Sequence, residues 1–328
     1  MDLLVATDQI LPEQSSQSCR QTPRCEHLKA LSLRNRCATK SPVRSVLENA
    51  ENMTIQSVPG VALRSLVTTA GQDLADGFRQ WRLWGRLGWL EVRRRYSRTV
   101  IGPFWSAISL GMFVLALGGV GTGLWSKSAS DYLPFLAAGM VVWVMIASIV
   151  TESCTLFVAS TNLFRQMRFN YSVMAYALVW RNFIVFAHNL LVFVVISLLF
   201  APQLIAPATL LVLPGLVVVL VNSVWVSIVL GMLCLRFRDV QQLITSLIQI
   251  SMFVTPIFWP PENLQGAARF VFVDFNPLYH LIDIVRSPLL GLLPAAESYI
   301  AMVALTLVGW GLTYLLFSYF RRRIAYWS

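Results

Sequence analysis

The sequence is poor in charged residues and in histidine. Asp, Glu, Lys and Arg make up 13% of the 328 residues, and three residues are histidine. Soluble globular proteins carry about a quarter charged residues, so this composition excludes an ordinary soluble domain. Hydrophobic residues make up 56% of the chain instead. We therefore predict an integral membrane protein.

Two common kinds of site are also missing. The sequence has no G-x-x-x-x-G-K-[ST] motif and no Gly-Lys dipeptide, so it cannot build the phosphate-binding loop of a P-loop ATPase. The five cysteines form no C-x-x-C pair, and the three near the N-terminus, with His27 beside them, make a poor zinc pattern. We therefore predict no metal site and free thiols.

Six long apolar runs occupy the rest of the chain. They are Val100 to Trp125, Tyr132 to Ser160, Val173 to Phe200, Leu210 to Leu235, Leu243 to Trp259, and Tyr299 to Phe320. We expect each run to be helical, because lipid offers no hydrogen-bond partner to an open backbone. The fifth run is short, and Pro256, Pro260 and Pro261 crowd its end, so its helix should break off before or near the far interface.

The segment Pro260 to Ser298 contains apolar pieces that are too short to span a membrane. These pieces alternate with Pro, Gly and Asn, which favours re-entrant or interfacial helices between the fifth and sixth spans; ordinary interfacial packing is the alternative. The residues singled out in this outer region are Pro256, Trp259, Pro260, Asn276, Pro277 and Arg286.

Basic residues lie beside one set of span ends. They belong to the N-terminal tail, 79–98, Arg165 and Arg168, Arg236 and Arg238, and 321–323. This bias predicts that these ends, and both chain termini, are cytoplasmic. A formal charge of +10 can also indicate nucleic-acid binding, but the clusters adjoin apolar runs, so we predict membrane lipids as partners and no nucleic acid.

Arginine and tryptophan interleave from Phe78 to Trp105, just before the first span. On a helix, one stripe holds Phe78, Trp81, Trp89, Val92 and Tyr96, the next Arg79, Arg82, Arg86 and Arg93, and a third Leu83, Leu87 and Leu90. Two apolar stripes around a basic one predict an amphipathic interface helix in contact with lipid and with protein. A basic flank without further role is the alternative.

We therefore predict an all-α integral membrane protein in four regions. Residues 1–60 form a disordered cytoplasmic tail, with Met53 as an alternative start; 61–99 form the interface-helix region. Residues 100–323 form a domain of six transmembrane helices, and 324–328 a cytoplasmic C-terminus.

Two pairs of polar residues stand out within the apolar regions. Arg181 and Glu152 fall inside spans, toward the same end, so an interhelical ion pair is one prediction and snorkelling of Arg181 the alternative. His280 and Asp283 lie one helical turn apart on the outer side. Such a pair fits an outer-face glycosyl or acyl transferase, but a structural histidine explains it as well.

Four stretches resemble one family. They are RRRYSRTVIGPFW (93–105), LRFRDVQQ (235–242), TPIFWPPENL (255–264) and NPLYHLIDIVRSPLLG (276–291). Together they resemble the type-2 ABC exporter permeases that export lipid-linked polysaccharides such as O-antigen, capsule or teichoic acid. Ile101 and Phe104 replace leucines of the family pattern.

The resemblance implies a homodimeric permease of a bacterial inner membrane, paired with two copies of an ABC ATPase subunit that binds ATP and Mg; this chain would need no cofactor. Its substrate would be a lipid-linked glycan, with a drug or small-lipid exporter as the alternative. Residues Arg93, Arg94, Arg95, Tyr96 and Arg98 are candidates for binding a phosphate headgroup, against plain anchoring to anionic lipid. Residues Arg165, Arg168, Arg236, Arg238 and Asp239 are candidates for coupling to the ATPase.

Overall fold

The computed structural model describes residues 70–327 except 162, 164–169 and 203–206. The predicted tail, with the alternative start at Met53, lies outside this range. The principal helices are α1 Trp81–Tyr96, α2 Phe104–Trp125, α3 Ala129–Ser153, α4 Ser172–Phe200, α5 Val212–Arg236, α6 Val240–Val254, α7 Pro277–Leu289 and α8 Ala296–Trp327. A helical segment at 70–79 precedes α1, and shorter helical turns are Leu156–Ala159, Pro207–Leu211, Pro261–Asn263, Gly266–Arg269 and Phe270–Asp274. The described residues contain no strand.

Five helices are long and apolar enough to cross a membrane. They are α2, α3, α4, α8 and α5, the last together with the turn before it. These helices confirm the predicted all-α membrane class and five of the six predicted spans. The first begins at Phe104 rather than Val100, because Gly102, with φ of 64°, and Pro103 form a turn before it.

α3 lies at the centre of the bundle. In the most apolar 18-residue stretch of α3, 72% of the residues are buried, against 22–28% in the corresponding stretches of α2, α4 and α8. Tyr132, Leu136 and Ile149 along α3 are almost fully buried. The other spans therefore surround α3 and turn apolar faces outward, as expected of helices in contact with lipid.

The fifth predicted span is a 15-residue helix followed by extended chain. α6 is about 22 Å long at 1.5 Å per residue, shorter than the roughly 30 Å apolar core of a bilayer. Near its start, Ile244 packs with Cys154 after the end of α3; beyond its end, Glu262 pairs with Lys127 before the start of α3. α6 and the segment after it thus run along α3 from one of its ends to the other.

The early end of α6 agrees with the predicted break, but the expectation of helix up to Trp259 is wrong. Residues Thr255, Pro256 and Ile257 are buried and non-helical. Side chains of other helices donate hydrogen bonds to backbone carbonyl groups of this stretch: Arg286 of α7 donates to Pro256 O at 2.8 Å, and Tyr132 of α3 donates to Phe258 O at 2.6 Å. Irregular backbone is tolerated at this depth because protein, not lipid, satisfies it.

Candidate functional site at the basic end of the helices

We call the end of the bundle that carries Arg95, Arg181, Arg236 and Arg321 the basic end. The segment 70–79 is fastened there by Asp73, whose side chain is fully buried. Arg321 of α8 donates to Asp73 Oδ2 from Nε at 2.9 Å and from Nη2 at 2.8 Å. The backbone N–H and the hydroxyl of Ser172, at the start of α4, donate to Asp73 Oδ1. Asp73 therefore ties three parts of the chain together; it lies outside every motif singled out in the sequence.

α1 packs on α4 through small residues. Gly88 and Val92 are its buried residues. A Cβ on Gly88 would lie 2.8 Å from Ala177 O and 2.9 Å from Trp180 Cδ1, so the close approach of the two helices requires glycine at this position. The helix predicted from the arginine and tryptophan pattern is present, and it contacts protein on this face.

The aromatic stripe of the interface helix lies outward. Trp81 is 61% exposed and Trp89 54% exposed, and Phe78 is also exposed. Arg82 and Arg86 lie between them and are exposed. The helical wheel did not separate the outward aromatic residues from Val92 of the same stripe, since it carries no information about where α4 approaches.

Glu152 is the centre of an ion-pair network that joins α1, α3 and α4. Its Oε1 accepts from Arg95 Nη2 at 2.5 Å, and its Oε2 accepts from Arg181 Nη2 at 2.6 Å and from Asn182 Nδ2 at 2.7 Å. Arg181 also donates to Glu91 of α1. The predicted pair of Arg181 and Glu152 is confirmed. The roles of Glu91 and Arg95 in the network were not predicted from the sequence.

Arg95 is thereby separated from the other headgroup candidates. Partial burial opposes its charge, but the hydrogen bond to Glu152 and the negative charge of Glu152 raise the pKa of Arg95 above its ordinary value. Arg93 and Arg94, in the last turn of α1, and Arg98, just after it, are exposed and form no ion pair with residues that the structure describes. Tyr96 is half-buried at the end of α1.

The coupling candidates lie partly within the described chain. Arg236, Arg238 and Asp239 form the exposed turn from α5 to α6, with the Arg236 guanidinium 5.1 Å from the centre of the Phe237 ring. Arg165 and Arg168 lie outside the described residues.

The outer-region candidates meet on the far side of the bundle. Asn276 accepts from the backbone N–H groups of Leu278 and Tyr279 as the N-cap of α7, and donates to Thr255 Oγ1 at 3.0 Å. Pro277 is the first residue of α7, where its missing N–H costs nothing. Arg286, buried, stacks 4.5 Å from the centre of the Phe135 ring.

Trp259 and Pro260 take part in the same region. Trp259 Nε1 donates to Phe253 O at 3.0 Å, and Pro260 is buried. These contacts close the turn after α6.

His280 and Asp283 form a closed hydrogen-bond network. His280 Nδ1 lies 3.0 Å from Ser298 Oγ, and Nε2 lies 2.9 Å from Asp274 O. Ser298 and Ser287 donate to Asp283. Both residues are buried, and each ring nitrogen already has a partner. The pair links α7 to α8, as expected of a structural histidine, and it offers no free group for a transferase reaction.

The fold and the basic end define a multi-pass membrane protein with a helix rich in arginine and tryptophan before its first span. A family model described as "ABC-2 type transporter" matches residues 82–290, from α1 to the end of α7. The chain belongs to the ABC-2 type transporter family, and is therefore a component of a membrane transporter.

Curated relatives resemble the same part of the chain. An O-antigen export system permease protein of Myxococcus xanthus is 22% identical over 222 residues, covering 66% of this chain and 84% of the relative. A protein of the same description from Klebsiella pneumoniae is 23% identical over 227 residues, covering 67% and 86%.

Proposed function

We propose that this chain is the permease of an ATP-driven exporter that moves lipid-linked polysaccharide across the bacterial inner membrane. The observation that carries the proposal is the family match over α1 to α7, together with relatives described as O-antigen export permeases. The arginines exposed where α1 turns into α2 support a substrate with an anionic headgroup at the membrane surface.

The energy would come from a separate ATPase subunit in two copies. The sequence contains no phosphate-binding loop, so ATP and Mg would be held by that partner. In this proposal the basic end is cytoplasmic, following the distribution of arginine. The motion of the ATPase would be received by the exposed turn from α5 to α6, with Arg236, Arg238 and Asp239, and by the part of the sequence that holds Arg165 and Arg168.

The permease would act as a homodimer. Leu243, Leu247, Ile250 and Val254 form an exposed apolar stripe along α6. Unlike α3, this helix lies at the edge of the bundle and is too short to face lipid over a full bilayer. A second copy meeting along α6 would cover the stripe and leave a path for the glycan between the two subunits.

Lipid-linked glycan would bind first at the turn between α1 and α2. Guanidinium groups recognise phosphate through paired N–H donors, and Arg93, Arg94 and Arg98 offer three groups without an ion pair among the described residues. Arg95, held by Glu152, would instead support the position of α1.

The decisive experiment is removal of the gene from the bacterium that carries it. We expect the surface polysaccharide to disappear and its lipid-linked precursor to accumulate on the cytoplasmic side, with both effects reversed by the full chain. A paired variant, Arg238→Glu with Asp239→Arg, should insert normally but lose co-purification with the ATPase. Unchanged surface polysaccharide, with loss of resistance to a drug instead, would favour a small-molecule exporter and reject the proposal.

A further inference from the structure

An aromatic cavity opens on the side of the bundle where α1 crosses α4. It has a volume of about 380 Å³ and is bounded by α1, α4, α5, α8 and the segment before α1. Its aromatic lining residues are Phe78, Trp84, Tyr176, Trp180, Phe183 and Trp310. The volume is within the range of about 300–1,000 Å³ usual for ligand pockets, and the lining is almost wholly apolar.

The aromatic residues form a continuous wall. Tyr176, Trp180 and Phe183 follow one another along one face of α4, with Trp180 and Phe183 ring centres 5.6 Å apart. Trp84 of α1 lies across from them, 5.9 Å from Trp180 and 6.2 Å from Tyr176. Trp84 Nε1 donates to Phe78 O, so the polar atom of this ring is satisfied and its face is free to pack against an apolar chain.

The cavity reaches from the basic end into the depth of the bundle. Leu220 and Val224 of α5, and Trp310 of α8, line its inner part and lie near the middle of their helices. An apolar chain entering beside α1 can therefore extend toward the centre of the membrane.

A second, basic groove adjoins the cavity. It is lined by Trp81, Arg82, Trp84, Gly85, Arg86, Trp89 and Trp180, and it shares Trp84 and Trp180 with the cavity. Arg82 and Arg86 form no ion pair with the residues that the structure describes; Arg79, by contrast, lies 3.7 Å from Asp76, and Arg95 is paired with Glu152. The Arg82 guanidinium lies 5.5 Å from the centre of the Trp81 ring. Two arginines that form no ion pair with the described residues thus lie at the mouth of an apolar cavity.

We propose that the groove and the cavity together hold one anionic phospholipid of the bilayer. Its phosphate headgroup would lie between Arg82 and Arg86, and one acyl chain would pack against Trp84, Trp180 and Phe183. The charges match an anionic headgroup, and the aromatic lining matches an acyl chain. The site lies on the α1, α4, α5 and α8 side of the chain, whereas the arginines proposed for the exported substrate lie beyond Glu91 at the other end of α1. A lipid bound in this way would stabilise the packing of α1 against α4.

Native mass spectrometry of the full purified chain tests the proposal, with dioleoylphosphatidylglycerol and dioleoylphosphatidylcholine as probes. We expect a tightly held phosphatidylglycerol adduct on the wild type. Since each arginine near an anionic lipid contributes roughly a fivefold preference, Arg82→Gln with Arg86→Gln should weaken phosphatidylglycerol retention by about 25-fold and leave phosphatidylcholine unchanged. Arg79→Gln, which removes a charge outside the groove, should retain the adduct.

A second variant tests the cavity separately from the charge. Val221→Phe places a larger side chain at the cavity wall, and should weaken the retention of both lipids without removing any arginine. Added phosphatidylglycerol should raise the unfolding temperature of the wild type and of Arg79→Gln but not that of the double arginine variant.

Equal retention of both lipids by the wild type, or equal loss in Arg79→Gln and in the double variant, would overturn the proposal. Adducts that form only after residues 1–52 are removed would also overturn it, because the chain's own tail would then occupy the groove. Export of polysaccharide is not measured in this experiment, so its result does not depend on the proposed function.

Discussion

Arg181 of α4 and Glu152 of α3 form an ion pair, with 2.6 Å between Arg181 Nη2 and Glu152 Oε2. The two side chains are 15% and 20% exposed, so water screens the pair only weakly. Glu152 also holds Arg95 of α1. A single carboxylate thus joins α1 to two membrane-spanning helices.

Replacing Glu152 by Gln should lower the free energy of unfolding by about 2–4 kcal/mol, because Arg95 then loses its ion-pair partner and Arg181 keeps only the carboxylate of Glu91. Unfolding in mixed detergent micelles measures the effect. Glu91→Gln is the matched control: Glu91 is 39% exposed and reaches Arg181 alone, so a loss of about 1 kcal/mol or less is expected. Equal losses in the two variants would contradict a central role for Glu152.

Gly88→Ala should loosen the contact between α1 and α4. The new Cβ would meet the backbone oxygen of Ala177, which cannot move aside as a flexible side chain can, so we expect a cost of about 1–3 kcal/mol. Gly85→Ala, on the same helix, meets nothing within 4 Å and should be neutral or stabilising, since alanine favours helix by about 1 kcal/mol over glycine. Thermal unfolding of the two variants distinguishes these outcomes; equal melting temperatures would argue against close packing at Gly88.

Asp73→Asn should release the segment 70–79 from the bundle. The substitution removes the charge that holds Arg321, so hydrogen exchange of the backbone amides in this segment should rise by about tenfold or more. Asp76→Asn is the control, because Asp76 and Arg79 form an exposed pair that contributes little. Unchanged exchange in Asp73→Asn would show that packing alone holds the segment.

Arg286→Met should destabilise the outer part of the bundle. It removes the hydrogen bond to Pro256 O and the stacking on Phe135, and leaves a buried carbonyl oxygen with one partner fewer, which costs about 1–3 kcal/mol. Arg269→Gln removes a half-exposed arginine of the same region and should change the melting temperature little. A melting temperature as high as that of the wild type in Arg286→Met would contradict this structural role.

Replacing Arg93, Arg94 and Arg98 together by Gln tests the headgroup candidates. We expect polysaccharide export to fall by about tenfold at unchanged abundance in the membrane, because paired guanidinium donors to phosphate are lost. Arg95→Gln should instead lower stability through Glu152. Undiminished export by the triple variant would mean that these arginines anchor the chain to lipid and do not bind the substrate.

The class and outline of the protein follow from composition and from the length of apolar runs. Lipid allows few backbone conformations, so five runs could be identified as spans, and the prolines after Val254 predicted the early end of α6. The ion pair of Arg181 and Glu152 could be predicted for a similar reason, because a charged residue within a span needs a partner of opposite charge and the spans contain few such residues.

Contacts between residues far apart in the sequence could not be predicted in this way. Asp73 and Arg321 are 248 positions apart, and neither belongs to a periodic pattern that could connect them. The face of α1 that contacts α4 could not be predicted either. A helical wheel shows only where hydrophobic residues lie, whereas the close approach of two helices requires a small residue, here Gly88, and leaves the larger Trp81 and Trp89 exposed.

Local chemistry therefore dictated that this chain enters a membrane, roughly where its spans lie, and that most of its arginines gather at one end, because solvation by lipid or water acts on each segment separately. Which arginine is bound within the protein and which remains free depended on the packing of helices. Arg95 and Arg82 look alike in the sequence, yet Arg95 pairs with Glu152 and Arg82 lines the basic groove beside the aromatic cavity, since only folding brings α3 and α4 to those points on α1.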